Sequence, residues 1–283
     1  MKTMTIKETA GPGHEGTVMD FLCAKSGLSR SRIKDAMSKG AVRIKKNIGK
    51  MLPERKGSCA LSSGDYVEFY YDEQLLSRKP PVAKCLRDLG SYSVWFKPAG
   101  LMSQGTKFGD HCSILRQVEK HFQPARKVFP VHRLDREASG IILVAHNRDA
   151  AAKLSELFQS KKVEKEYRIE ALGNVNDLNS REILFSLDGS SAITEFTVIS
   201  FDPEKNSSAV TAIAKTGRYH QVRRHFNMAG HPVMGDPRYG QGNKNTEGMK
   251  LSAVALRYHC PVLKKEVEFR VSDEGAVSGA ERC

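Results

Sequence analysis

No run of about eighteen apolar residues occurs in this 283-residue chain, so no membrane-spanning helix is expected. The first residues lack the apolar core of a secretion signal. Cysteine is scattered: the six thiols include no C-x-x-C pair and no short ligand spacing. That argues against the common zinc modules and a disulfide framework. Cys85 and Cys112 could pair in principle, but nothing in the sequence argues for it. Reduced thiols in a cytoplasmic protein are the expectation. No segment repeats itself. Acids are in short supply, 32 Asp and Glu against 45 Lys and Arg, and the net charge of +13 points to a polyanionic partner, nucleic acid first. The deficit is concentrated. Residues 25–56 hold eleven Lys and Arg but only two acids, Asp35 and Glu54.

With 40% apolar residues the chain can fill one large core, or one large and one small. Residues 1–13 read as a loose tail, because Gly11-Pro12-Gly13 breaks structure. Residues 14–76 read as a small α+β unit. Val18, Phe21 and Leu22 give a short apolar helix face. Ser29 is an N-cap for a second helix, with Ile33 and Met37 inward and Gly40 as the stop. Val42 and Ile44 alternate with Arg43 and Lys45, as in a half-buried strand. Ser62-Ser63-Gly64-Asp65 reads as a turn before a strand over 66–70. Residues 77–90 are expected as a linker, since Arg78-Lys79-Pro80-Pro81 disfavours helix.

A larger domain is expected over 91–272. Its strands are predicted at 93–96, 141–145, 167–171, 194–200, 208–213 and 267–271, and its helices at 112–122, 148–159 and 220–229. Strands outnumber helices without a regular βαβ alternation, so the class is α+β. The polar tail from 273 is expected to be mobile.

The most informative stretch is Val131-His132-Arg133-Leu134-Asp135-Arg136-Glu137-Ala138-Ser139-Gly140. It sets one acid between two arginines, just before the apolar run Ile141-Ile142-Leu143-Val144. Positive neighbours favour the ionised carboxylate, which is the form that nucleophilic attack requires. Taken alone, such an acid reads as a turn cap or an ion-pair partner.

The pattern His132-Arg133-Leu134-Asp135-Arg136-x-x-Ser139-Gly140 resembles the signature of the RluA-type pseudouridine synthases. Lys165-Glu166-Tyr167 is similar to that family's K-x-Y block. Thr216-Gly217-Arg218-Tyr219-His220-Gln221-Val222-Arg223-Arg224-His225 resembles its G-R-x-H-Q-[IV]-R-x-H block and runs on into Gly230-His231-Pro232-Val233-Met234-Gly235-Asp236. The three blocks stand in the family's order, and the resemblance covers roughly residues 91–272. It implies a mixed, largely antiparallel sheet with the active cleft across its middle. It also implies RNA as substrate and isomerisation of uridine to pseudouridine. Ala138 stands where the family usually has Thr, and Ser252 where it usually has His near the end of the domain. Residues 14–76 resemble a second family, the S-four-like RNA-binding domain, through Leu28-Ser29-Arg30-Ser31-Arg32, Gly40-Ala41-Val42-Arg43-Ile44 and Gly64-Asp65-Tyr66-Val67. That family usually has Asn-Gly after the first strand, where this chain has Lys46-Asn47-Ile48-Gly49.

The resemblance implies roles. Asp135 is the catalytic nucleophile, Arg223 is the cation paired with it, and Tyr167 stacks on the flipped base. Arg133, two residues before Asp135, is a wedge or phosphate clamp, with Arg136 beside it on the RNA. His132 is expected to support the loop. In the N-terminal unit Arg30, Arg32, Lys34, Lys45 and Lys46 are candidate phosphate contacts, which give affinity and salt sensitivity but not sequence choice. The isomerisation involves no redox change, so no cofactor and no metal is expected. His220, His225 and His231 are spaced by five and six residues, which does not fit the i, i+4 face of helical zinc pairs. Gly235-Asp236-Pro237-Arg238-Tyr239-Gly240 reads as a structural turn. The expected partner of this monomer is ribosomal RNA of the large subunit, or transfer RNA. Two other classes stand beside this reading. A non-catalytic RNA-binding or ribosome-assembly protein would have lost the set of Asp135, Tyr167 and Arg223. A glycosidase would need two catalytic carboxylates, and only Asp135 has a motif.

Overall fold

Thr17 caps the first helix through a reciprocal bond with Asp20, and Ser29 caps the second, so two short helices begin where capping chemistry puts them. The computed structural model describes residues 2–271. The expected C-terminal tail from 273 lies outside them. The described chain falls into two units, residues 2–80 with Gln104–Gln117, and Pro81–Ser103 with residues 118–271.

In chain order the first unit holds β1 (Thr3–Thr9), β2 (Gly16–Thr17), α1 (Val18–Ser26), α2 (Arg30–Ser38), β3 (Val42–Lys45), β4 (Leu52–Pro53), β5 (Ala60–Leu61), β6 (Tyr66–Asp72) and α3 (Glu73–Leu76). Its main sheet runs β1-β6-β3-β4, and β2 pairs with β5. The expectation of a loose tail over 1–13 is overturned. β1 pairs antiparallel with β6 over seven residues, from Thr3 opposite Asp72 to Thr9 opposite Tyr66. Val18, Leu22, Ile33, Met37, Val42 and Phe69 are fully buried and form the core.

The second unit continues with β7 (Lys84–Asp88), β8 (Tyr92–Lys97), β9 (Phe129–Pro130), β10 (Ser139–Ala145), β11 (Glu164–Leu172), β12 (Glu182–Ile183), β13 (Thr194–Asp202), β14 (Ser207–Ala214), β15 (Leu251–Cys260) and β16 (Lys265–Arg270). Its helices are α5 (Arg148–Gln159) and α6 (Gln221–Met228); a further helix, α4, spans Ile114–His121. The expected linker is corrected in part, since residues 84–88 are strand β7 at the sheet edge. The ten-stranded sheet runs β12-β13-β14-β11-β15-β10-β8-β7, with β16 on β15 and β9 on β10. Every pairing is antiparallel except β10 with β15. The unit is therefore α+β with a mixed, mostly antiparallel sheet.

That parallel pairing is short and close. Ser139 and Gly140 face Ser252 and Ala253. Gly140 has φ 122°, and a Cβ there would lie 2.3 Å from the Ala253 carbonyl oxygen. Glycine is required by both conformation and space. Two cores flank this seam. One gathers Tyr92, Val94, Ile141, Leu143 and Tyr258 with Ala150 and Leu154 of α5. The other gathers Ile169, Phe196, Val210 and Ala212 with Val222 and Phe226 of α6.

Candidate active site

The segment 131–138 reaches the middle of the sheet and is pinned at most of its residues. Ser155 Oγ donates to the Val131 carbonyl at 3.2 Å. His132 Nε2 accepts the Leu143 N–H at 3.0 Å, and its ring stacks on Phe158 at 4.1 Å. Burial, then the charge of Lys165, pulls His132 down to about 3, so it is a neutral support for the loop. Ser103 Oγ accepts the Leu134 N–H at 3.0 Å and donates to its carbonyl at 2.7 Å.

Lys97, fully buried, closes the segment from below. Its Nζ donates to the carbonyls of Leu101 and Ala138, both at 2.7 Å, and of Pro98 at 3.1 Å. Burial pulls it down to about 8, against the opposing charges of Asp135 and Glu137. Sequence reasoning missed this residue. The available signal was an ammonium ending the apolar run Val94-Trp95-Phe96.

Asp135 is thereby fixed beside the N-terminus of α6. Arg223 Nη1 donates to Asp135 Oδ2 at 2.7 Å. The same guanidinium grips Asp236 with two bonds, Nε to Oδ2 at 2.7 Å and Nη2 to Oδ1 at 2.8 Å. Asp236 is fully buried, and its Oδ1 also accepts the N–H groups of Arg238 and Tyr239. Burial works against both charges, but the paired bonds win: Arg223 is raised and Asp236 lowered from their ordinary values. Asp236 thus does more than shape the expected turn. It fixes the cation that holds Asp135.

His220 completes the group. It stands at φ 51°, just before α6, with Nε2 3.3 Å from Asp135 Oδ1 and Nδ1 3.1 Å from the Tyr239 hydroxyl. A left-handed non-glycine residue is uncommon and marks a constrained position. Burial lowers His220 despite the raising charge of Asp135, which favours a neutral ring. The other two histidines go elsewhere. His225 meets the Phe185 carbonyl at 3.0 Å and His231 the Leu172 carbonyl at 2.9 Å.

Asp135, His220 and Arg223 line a cleft of about 490 Å³ together with Tyr167, Lys165, Arg133 and Tyr219. A bulge directs Tyr167. Glu166 faces Ala255 while Tyr167 faces Ala253, so Val254 is the extra residue on β15. Burial, then the charge of Asp135, pushes the Tyr167 phenol up to about 12, so it stays protonated. Lys165 Nζ donates to the Thr216 carbonyl at 3.2 Å.

Arg133 lines the cleft and is exposed. Arg136 turns to Glu137 at 3.1 Å and does not line the cleft. The five N-terminal candidates all lie in the first unit. Arg30 pairs with Asp20, and Arg32 with Glu73 at 3.5 Å. Lys34 and Lys45 are exposed. Lys46 Nζ donates to buried Asp65 at 2.7 Å and to the Ala60 carbonyl at 2.6 Å, which anchors its own loop, while its side chain stays 48% exposed.

Residues 91–228 match the family model described as RNA pseudouridylate synthase. A curated relative named ribosomal large subunit pseudouridine synthase C, from Haemophilus influenzae, is 29% identical over 96% of this chain and 91% of its own. The protein of that name from Yersinia pestis is 30% identical over 86% of this chain and 83% of its own. Among solved structures, human RNA pseudouridylate synthase domain containing 1 superposes with a TM-score of 0.56 at 23% identity, covering 69% of this chain and 86% of that one. At that identity the likeness speaks for the fold alone.

Proposed function

The chain belongs to the RNA pseudouridylate synthase family and isomerises uridine in RNA, and on that premise we propose that Asp135 is the reacting group, Tyr167 the base platform, and large-subunit ribosomal RNA the substrate. The chemistry is a rearrangement. The bond from ribose C1′ to N1 of the base breaks, and C1′ bonds to C5 instead. C5 gives up its hydrogen as a proton and N1 takes one. The base must leave its stack for this to happen, because the reacting atoms are hidden within a helix.

The observation that carries the reading is the chain of charge from Asp135 through Arg223 to Asp236. A carboxylate at the cleft, its side chain 20% exposed, is held by one bond from a cation already committed to a second carboxylate. Asp135 is therefore oriented without being fully neutralised. Both routes open to it, attack on the ribose or proton acceptance in an elimination, require the ionised form. Tyr167, as a neutral phenol, offers a ring to the base and an O–H to a carbonyl.

The ribosomal reading rests on the names of the relatives and on the positive balance of the chain. The N-terminal unit, by its S-four-like words, adds phosphate contacts through Arg30, Arg32, Lys34, Lys45 and Lys46. The five described cysteines are free thiols, which supports a cytoplasmic setting. Among the described residues no helix is long and apolar enough to cross a membrane.

The test is tritium release from RNA labelled at C5 of uridine. Wild type is expected to release label from ribosomal RNA. Asp135→Asn keeps the shape and loses the charge, so release is expected to fall by more than about a thousandfold while RNA affinity stays within about threefold. Turnover of the Asn variant within tenfold of wild type would end the assignment. Release from transfer RNA alone would move the substrate.

A further inference from the structure

Tyr219 sits at the unspecified position of the G-R-x-H-Q block, one residue before His220. Its ring is stacked on the His220 ring, with centroids 3.7 Å apart and planes 21° apart. Arg238 Nη1 donates to its hydroxyl at 3.3 Å, and the guanidinium carbon stands 5.9 Å from the ring centroid, at the phenol end of the ring. Arg224, bound twice to Asp188, reaches its carbonyl at 3.5 Å. The ring is thus fixed from one face, from its tip and through its backbone. Yet the residue is 52% exposed, and it lines the cleft that holds Asp135. A large aromatic on the surface, immobilised and covered on one face, presents a preordered flat apolar surface at the mouth of a nucleotide-sized cleft. Arg133, Lys161 and Arg218 line the same cleft and draw a polyanionic backbone to it.

Flipping one nucleotide leaves its neighbours without a stacking partner on one side. A rigid aromatic face at the cleft mouth replaces that partner at little ordering cost, since the ring is already held. We propose that Tyr219 is the stacking platform for the base flanking the target uridine, and so a substrate-positioning residue of this enzyme. The proposal rests on the cleft being the site of isomerisation. The Tyr219–His220 stack has a second possible use, as a cover that keeps His220 in place next to Asp135, and the two uses separate experimentally.

The experiment is a four-corner comparison with the full-length chain. Its RNA is a ribosomal fragment containing a uridine that wild type isomerises. The base is either present or removed to leave an abasic ribose at one neighbour of that uridine, on each side in turn. The proteins are wild type, Tyr219→Ser, Tyr219→Phe and Tyr219→Leu. On intact RNA Tyr219→Ser is expected to raise KM about tenfold, the size of one base–aromatic stack, with single-turnover rate within about twofold. Tyr219→Phe stays near wild type. Tyr219→Leu, which still covers His220 but has no aromatic face, loses nearly as much as Ser. On the abasic RNA of one side, wild type loses the same factor and Tyr219→Ser loses nothing more, so the effects are not additive. Equal losses for Tyr219→Ser on intact and on both abasic RNAs would overturn the platform and leave a cover for His220. A Leu variant equal to wild type would overturn it too. Modification of transfer RNA but not ribosomal RNA would remove the ribosomal reading, and the same comparison on transfer RNA would still decide the platform.

Discussion

Arg223 divides its donors unequally between two carboxylates. Asp236 receives two of them and Asp135 one. The sequence marks Asp135 and Arg223 through their blocks. It gives Asp236 no special standing, because an acid in a Gly-Asp-Pro turn is common for reasons of turn geometry. What distinguishes it is full burial against a cation. Asp236→Asn is expected to lower unfolding free energy by about 3 kcal/mol, measured by denaturant titration, since one partner of a buried ion pair is left short. Single-turnover rate is expected to fall about a hundredfold, because Arg223 then has Asp135 as its one carboxylate in the cluster. A wild-type rate would show that the Asp236 grip is dispensable. Lys97 gives a pH signature. Its folded value of about 8 lies below the ordinary 10.5. Below about pH 8 it is charged in both states. Between about 8 and 10.5 the folded chain has shed the proton and the unfolded chain has kept it, so stability rises with pH across that window. The difference in unfolding free energy between wild type and Lys97→Met is expected to grow by up to about 3 kcal/mol over it. A flat difference would show that Lys97 keeps its proton.

At the scale of elements, those with their own local signal were legible. α5 lies at Arg148–Gln159, as its apolar spacing predicts, and α2 begins after Ser29 as capping predicts. β15 escaped, although it is the strand that joins the two halves of the sheet. Its first six residues, Leu251 to Leu256, are all buried, so the alternation that announces a half-exposed strand is missing. β1 escaped because its partner strand lies far along the chain, with Thr9 opposite Tyr66 and Thr3 opposite Asp72. The close seam between β10 and β15 is tested by Gly140→Ala. The new methyl would meet the Ala253 backbone in a conformation that L side chains avoid. The expected result is a loss of more than about 2 kcal/mol, with the melting temperature lowered by several degrees or more. A melting curve that overlays wild type would show that the seam relaxes freely.

On the scale of the whole molecule, the described chain falls into two units. The carboxylate cluster belongs to the second, and the basic run belongs to the first. Residues 104–117 pack with the first unit although they lie far along the chain from it, so the units are not simple consecutive segments. Lys34 and Lys45 are exposed, with no ion pair among the described residues. Replacing both with Ala in the full chain removes two counterion-releasing contacts if they face RNA. The slope of log affinity against log salt is then expected to flatten by about 1.5, with single-turnover rate unchanged. Equal slopes would return these lysines to solvent-facing surface.

The amino-acid sequence by itself determined the family blocks, the α+β class and the basic bias, and it singled out Asp135, Tyr167 and Arg223 as candidates. Each depends on residues close in the chain or on composition. Tertiary structure alone decided that Asp236 grips Arg223, that Lys97 lies beneath the 131–138 segment, that a bulge aims Tyr167, and that Lys46 anchors its own loop. The physical reason is separation. Lys97 reaches Ala138 across forty-one residues and Arg223 reaches Asp135 across eighty-eight. Local propensity carries no record of a partner that only sheet closure brings near.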